Sequence, residues 1–369
     1  MILTETPFIR LARQRREGVE YLKIALLGLL QSGKSTILAG LSGKAVPQVG
    51  STRIEEAIVS VPDDRIEWLT KLYKPEKTVY ATIDCLDVPG LNFADEHGRA
   101  AARRLIDQVR TVDMLALVIG AFEDSADPVK DLADLSTELL LADLALVTTR
   151  IENLEKQLNK PGKPLPIYKA EFELQKKLQA AIEQEKPIRS AIANEAELEI
   201  IKPLGFLTLK PMVVAINVGE DQQDKKFDFT GCIDSSATLI TVCAKLEYEL
   251  SQLDADSRRQ FMADLGITES AAAKFVRACY SSLGLISFLT VGTDEVRAWP
   301  IKQGISALDA AGKVHSDIKR GFIRAETFGF EDLNKLGDEK AVKAAGKTRI
   351  EGKTYIVQDG DIINFRFNV

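Results

Sequence analysis

The hydrophobic pattern first becomes regular at LKIALLGL, residues 22–29, an apolar run that breaks into QSGKST and then into the helical spacing of ILAGLSGK. Its periodicity predicts strand, loop and helix in that order. Further short apolar runs stand at ATIDCLDV (81–88), MLALVIGAF (114–122), PMVVAIN (211–217) and TLITVCA (238–244), with helical segments between several of them. Runs of this length alternating with helices predict an α/β fold: a doubly wound, mostly parallel sheet with its ligand site at the carboxyl ends of the strands.

The alternation stops between about 136 and 200. Leu140, Leu144, Val147, Ile151, Leu154 and Leu158 step by four and three, which places them on one stripe of a helix whose other face, in RIENLEKQLNK, is charged. KPGKPLP ends that helix, and a second one with Leu174, Leu178, Ala181 and Ile182 on its apolar side runs back. An antiparallel helical hairpin is expected. The segment SAAAKFVRACYSSL is expected to be a helix beside the core. From Gly284 onward the runs ISFLTVG, EVRAWPI, KTYIVQ and DIINFRFNV, with one short helix around Glu339–Ala345, predict a compact mixed β module.

Composition changes this picture little. With 369 residues, 45% hydrophobic and 28% charged, the chain has room for two or three ordinary globular domains. A net charge of -6 argues against an indiscriminate polycationic nucleic-acid binder. Cys85, Cys232, Cys243 and Cys279 are scattered and form no Cys-x-x-Cys pair, as expected in a reducing cytosol. His97 and His315 are too few and too far apart in sequence to predict a zinc site. No 18-residue apolar run occurs and the basic N-terminus lacks a signal-peptide core, so the expectation is a cytoplasmic protein without a membrane partner.

The candidate chemistry lies in the loops. Gly28-Leu-Leu-Gln31-Ser32-Gly33-Lys34-Ser35 matches G-x-x-x-x-G-K-[ST] between a predicted strand and a predicted helix. In that motif backbone N–H groups and the helix N-terminus receive phosphate oxygens, Lys34 reaches the β- and γ-phosphates, and the Ser35 hydroxyl ligates Mg²⁺. Thr36 closes the motif's hydroxyl pair. Asp87-Val-Pro-Gly90 ends the strand at 83–88, where Asp87 is suited to hold Mg²⁺ through water and the Gly90 amide to meet the γ-phosphate. Leu91 follows, at the place where many such enzymes keep a Gln that orients the attacking water.

Asn217-Val-Gly-Glu220 and Cys243-Ala244-Lys245 follow in the order and spacing of base-reading loops. An Asp in Asn-Lys-x-Asp accepts from the guanine N1–H and N2–H₂ edge; Glu220 is one methylene longer and overruns that geometry, which leans the site towards adenine. The alternative is that Asn217 caps a strand and Glu220 is a solvated loop acid.

Taken together, GLLQSGKST, SVPDDR, KLYKPEKT, DVPGL, TELLLADL, FLTLKP, NVGED, FMADLGI, EVRAWPI, AAGKVHSDIKRGFIRAET and EGKTYIVQDGDIINFRFNV resemble the Obg-like ATPases, the YchF subfamily of translation-factor P-loop proteins, over nearly the whole chain. The resemblance implies a P-loop G domain (21–135 and 204–283) after an N-terminal extension (1–20), an inserted antiparallel coiled-coil hairpin (136–203) and a C-terminal TGS domain of β-grasp type (284–369). It implies ATP with Mg²⁺, hydrolysis to the diphosphate, and association with the ribosome, with contacts to the large subunit and to rRNA or tRNA through the TGS domain. In that domain Lys313, Lys319, Arg320 and Arg324 cluster around His315. A GTPase of the Obg family and a non-hydrolysing nucleotide-binding scaffold are the other readings.

The chain departs from the family at named positions. Gln31 and Ser32 replace the Asn-Val that precedes Gly-Lys-Ser, where an Asn helps to hold potassium. Leu117 replaces a His proposed to assist hydrolysis; His97, on a loop that has lost most of its glycines, is read first as a solvated surface His and otherwise as its substitute. Ser51 and Thr52 are the two candidates for the Mg²⁺-sensing hydroxyl of the first switch.

Overall fold

The structure is a computed structural model that describes residues 22–43, 45–46, 53–160, 165–233 and 237–368. The N-terminal extension, Ser51 and Thr52 therefore lie outside the described residues. The strands run β1 (Lys23–Leu27), β2 (Glu55–Ser60), β3 (Lys77–Val79), β4 (Thr82–Asp87), β5 (Met114–Gly120), β6 (Met212–Asn217), β7 (Thr238–Val242), β8 (Leu285–Thr290), β9 (Glu295–Lys302), β10 (Phe322–Gly329), β11 (Arg349–Glu351) and β12 (Asp361–Phe367). They form two sheets, ordered β2-β4-β1-β5-β6-β7 and β11-β10-β12-β8-β9-β3.

In the first sheet β1 pairs in parallel with β4 and β5, and β6 pairs in parallel with β5 and β7. Its interior strands read as continuous apolar runs because both faces are covered, and Ile24 to Leu27 and Met114 to Val118 are all fully buried. One core cluster joins Leu27, Leu91, Leu117, Val214 and Ile216 to Leu132, Leu135 and Leu139 of the helix Pro128–Leu158. That helix starts earlier than the predicted position near 136. Asp127 caps it by accepting from the Lys130 amide at 3.0 Å, and Pro128 occupies its first turn.

The helix has 31 residues, about 46 Å at 1.5 Å per residue. Its first half packs on the sheet. Its second half packs Val147 and Ile151 against Leu174, Leu178 and Ile182 of the helix Pro166–Glu183, which forms the expected hairpin.

The described residues form two compact units, one within 23–59 and 84–283, the other of Leu22 with 60–83 and 284–368. Residues 60–83 belong with the C-terminal module for identifiable reasons. Strand β3 adds in parallel to β9, the helix Asp64–Tyr73 packs against β9, Trp68 meets Phe330 edge-on at 5.5 Å, and Arg65 pairs with Asp359 at 2.8 Å.

A chain ending at Leu283 is expected to leave the helix Asp64–Tyr73, whose Ile66 and Leu69 are fully buried, without the strand β9 it packs against. Re-exposing each costs roughly 1.5–3 kcal/mol, so this fragment should aggregate or melt without a cooperative transition. Size-exclusion chromatography and calorimetry check this, and a monomer melting as sharply as the full chain would contradict it.

The run KTYIVQ does not form the predicted strand. The ladder partners of β10 are β12 and β11, the latter just before this run, and Lys353–Gln358 keeps a single antiparallel bridge, Ile356 to Ser306, while capping the helix Ala307–Val314. Ala307 donates to the Tyr355 carbonyl at 2.7 Å and Leu308 to that of Lys353 at 3.2 Å. The buried Asp361 carboxylate draws the segment in, accepting from the Tyr355 hydroxyl at 2.7 Å and the Gln358 amide at 2.9 Å. Hydrophobic alternation was present, but the hydrogen bonds went to a helix end and a carboxylate. The basic cluster expected around His315 is interleaved with acids, with Lys319 on Asp309, Arg320 on Asp317 and Arg324 on Glu326.

Candidate nucleotide site

The loop between β1 and the helix Lys34–Ser42 wraps the carboxyl end of the sheet. Gly33 lies at φ 90°, and no side chain caps the helix that follows. Its first-turn N–H groups therefore remain available to an anion. A Cβ at Gly33 would fall 2.1 Å from Asn217 Nδ2, so glycine is required by both backbone and space.

Lys34 is almost fully buried. Its ammonium donates to the carbonyls of Gly28 at 3.1 Å and Leu29 at 3.0 Å, and to Ser32 Oγ at 3.3 Å. Burial lowers its pKa to about 8, against the opposing pull of Asp87.

Ser35 donates to Asp87 Oδ2 at 2.5 Å, bringing together the two groups expected to handle a divalent cation. Burial raises the Asp87 pKa, against the Ser35 hydrogen bond and the Lys34 charge. Its other oxygen, Oδ1, is buried and has no hydrogen-bond partner. A buried carboxylate oxygen without a donor beside a hydroxyl is a donor set that suits a hard cation. Among the described residues no group of three or more His, Cys, Asp or Glu could hold a metal, so nucleotide oxygens and water would complete such a shell.

The D-x-x-G loop is bonded to the phosphate loop directly. Leu91 donates to the Gly28 carbonyl at 3.0 Å, and Leu30 donates to that of Leu91 at 3.1 Å. A Cβ at Gly90 would lie 2.9 Å from the Leu30 Cα, so the approach depends on glycine.

At the candidate base end, Asn217 is buried, and its amide is bonded internally through one N–H and its oxygen. Nδ2 donates to the Ser32 carbonyl at 3.1 Å, and Oδ1 accepts from the Ala244 amide at 2.9 Å. It thus ties the phosphate loop to the Cys243-Ala244-Lys245 loop. Glu220 lies in a short 3-10 turn and pairs with Lys245 at 2.9 Å. Cys243 and Ala244 are buried beneath them, and burial pushes the Cys243 thiol up.

Leu91 and Leu117 lie in the same apolar cluster, exposed by 1% and 0%. Neither position brings a polar group towards the phosphates. His97 is exposed in the first turn of the helix Glu96–Gln108. Gln31 stands at φ 59°, the left-handed region, where Asn or Gly is accommodated more easily. Gln31→Gly is expected to raise the stability of the nucleotide-free protein by about 0.5–1 kcal/mol, as read by urea denaturation; a loss of stability would show that the backbone there is not strained.

Sequence reasoning missed the junction where the hairpin leaves the sheet. Asp143 is fully buried and accepts from Arg110 Nη1 at 2.7 Å, the amides of Leu207 and Thr208 at 3.1 and 2.9 Å, and the Thr208 hydroxyl at 2.9 Å. Glu138, 7% exposed, faces Arg103 at 3.6 Å and Arg99 at 3.9 Å. Two acids within the otherwise apolar TELLLADL were the available signal.

A parallel sheet carrying a glycine-turned phosphate loop, a buried Lys, a paired Ser and Asp, and two base-end loops defines a P-loop nucleoside-triphosphate-binding protein. Residues 285–368 match the family model YchF-GTPase_C, described as a protein of unknown function (DUF933). The chain is 37% identical to the Ribosome-binding ATPase YchF of Bacillus subtilis, covering 94% of this chain and 100% of that one, and 38% identical to Obg-like ATPase 1 of Oryza sativa subsp. japonica, covering 95% and 93%. Its structure is similar to that of the Schizosaccharomyces pombe YchF GTPase, with a TM-score of 0.82 and 30% identity over 95% of this chain and 99% of that one. The chain belongs to the YchF family of Obg-like ATPases.

Among the described residues no helix is long and apolar enough to cross a membrane.

Proposed function

We propose that the protein is a cytoplasmic ATP-dependent switch that associates with ribosomes and hydrolyses its nucleotide slowly. The carrying observation is the phosphate end of the site, where the buried Lys34 and the Ser35–Asp87 pair converge beside uncapped helix amides. Ser35 and the free Oδ1 of Asp87 would hold Mg²⁺, which when bound supplies charge neutralisation to the phosphates. The helix amides and Lys34 bind and orient the β- and γ-phosphates. The Gly90 amide senses the γ-phosphate and, through the hydrogen bonds of Leu91 to the phosphate loop, orders the segment leading to the helix Glu96–Gln108.

Slow turnover follows from the apolar burial of Leu91 and Leu117, which leaves no side chain there to orient water. The names of its relatives, ribosome-binding ATPases among them, support the ribosomal association; contact with the large subunit through the hairpin, and with rRNA or tRNA through the C-terminal unit, are finer parts of the same reading.

Calorimetric titration with MgATP and MgGTP, followed by phosphate release with and without purified ribosomes, tests the proposal. ATP should bind more tightly and ribosomes should accelerate release. Tight binding without release under either condition would favour a nucleotide-stabilised scaffold.

A further inference from the structure

At the base end of the site one ion pair spans the two candidate base-reading loops. In Asn-Lys-x-Asp the second residue is a lysine; here it is Val218, 2% exposed, packed in the core beside Ile216 and Phe229, with its amide bonded to the Val242 carbonyl at 2.9 Å. It does not reach a base. Asn217 is held between the Ser32 carbonyl and the Ala244 amide, which occupies the Ala244 N–H and one of the two Nδ2 hydrogens. Across the two loops Glu220 and Lys245 are joined at 2.9 Å, and both are solvent-accessible.

The hydrogen-bonding pattern of that pair differs from that of a lone carboxylate. A free carboxylate presents two acceptors and complements the donor pair of guanine, N1–H and N2–H₂. A carboxylate with one oxygen held by an ammonium presents an acceptor beside a donor. That complements adenine, whose N6 amine donates and whose N1 accepts.

We propose that Lys245 is a specificity-determining residue, which selects adenine over guanine by holding Glu220 so that the pair offers one acceptor and one donor. This rests on the adenine reading of the site given above. The selection is charge-based and exposed, so its size is modest, about three- to fivefold in the ratio of affinities.

ATP and GTP dissociation constants are to be measured by calorimetry for the full chain, Lys245→Met, and the double variant Glu220→Gln/Lys245→Met. Lys245→Met should lower the ATP preference by about three- to fivefold, mostly by tighter GTP binding. The double variant should recover it, because a Gln amide carries its own acceptor and donor. An unchanged ratio in Lys245→Met, or no recovery in the double variant, overturns the role of Lys245 while leaving ATP as the ligand. A wild-type protein that prefers GTP overturns the adenine reading and this inference together. A melting curve for each variant, matched to wild type, separates altered recognition from altered folding.

Discussion

Lys34→Ala is expected to weaken nucleotide binding by about a hundredfold or more, the loss of roughly 3 kcal/mol that charge-assisted hydrogen bonds to phosphate supply. The protein should still fold. The ammonium is nearly buried among the carbonyls of Gly28 and Leu29, and the desolvation that lowers its pKa to about 8 offsets much of what those bonds contribute in the empty site. Bound phosphate oxygens favour the charged form, so binding raises this pKa. Below pH 8 the amine is already protonated and affinity is flat. Above it, binding must take up a proton, and affinity should fall towards tenfold per pH unit. Calorimetry at pH 8.5 in two buffers of different ionisation enthalpy should show that uptake. Retention of binding within tenfold in Lys34→Ala would remove Lys34 from the phosphate site.

The strand-loop-helix unit that carries Gly28 to Ser35 was legible in the sequence because it is local: the residues are contiguous and flanked by a strand and a helix with clear periodicity. Strands β1, β5 and β6 were legible because each is a buried apolar run. Strands β4 and β7 were legible because β-branched and apolar residues dominate them, even though β4 holds two Asp and β7 is only partly buried. Strands β2, β3 and β10 carry polar residues at many positions, and β3 has three residues, too few for a period to register. The attachment of residues 60–83 to the C-terminal module depends on pairing between positions more than two hundred residues apart. KTYIVQ has the composition of a strand, yet its backbone hydrogen bonds go to a helix N-terminus. Glu220 and Lys245 were both visible as loop residues. Their pairing was not, because nothing in either loop alone fixes which partner an exposed charge takes.

Asp143→Ala is expected to cost about 3–5 kcal/mol of folding stability, the range for removing one partner of a buried ion pair. The substitution would leave the Arg110 guanidinium with only the exposed Asp107 and backbone carbonyls, and the Leu207 and Thr208 amides without their acceptor. The position explains why a charge is kept inside. Leu132, Leu135, Leu139 and Ala142 of the long helix belong to the sheet's core, whereas Val147 and Ile151, with the partly buried Leu140, Leu144 and Leu146, belong to the hairpin's. Asp143 lies at this changeover, facing the returning segment, whose Leu207 is in the sheet's core and whose Leu209 packs on the hairpin's. Its four hydrogen bonds fasten that segment and the end of the helix Glu96–Gln108 to one turn of the hairpin helix.

The double variant Asp143→Leu/Arg110→Leu should lose less than Asp143→Ala, since replacing both members removes the uncompensated charge. Urea denaturation of the two variants gives the comparison. Hydrogen exchange should show the Asp143→Ala loss concentrated at residues 143–158 and 207–209, with the phosphate loop still protected. A cost below about 1 kcal/mol would place this pair with ordinary surface ion pairs and leave the hairpin's attachment to apolar packing alone.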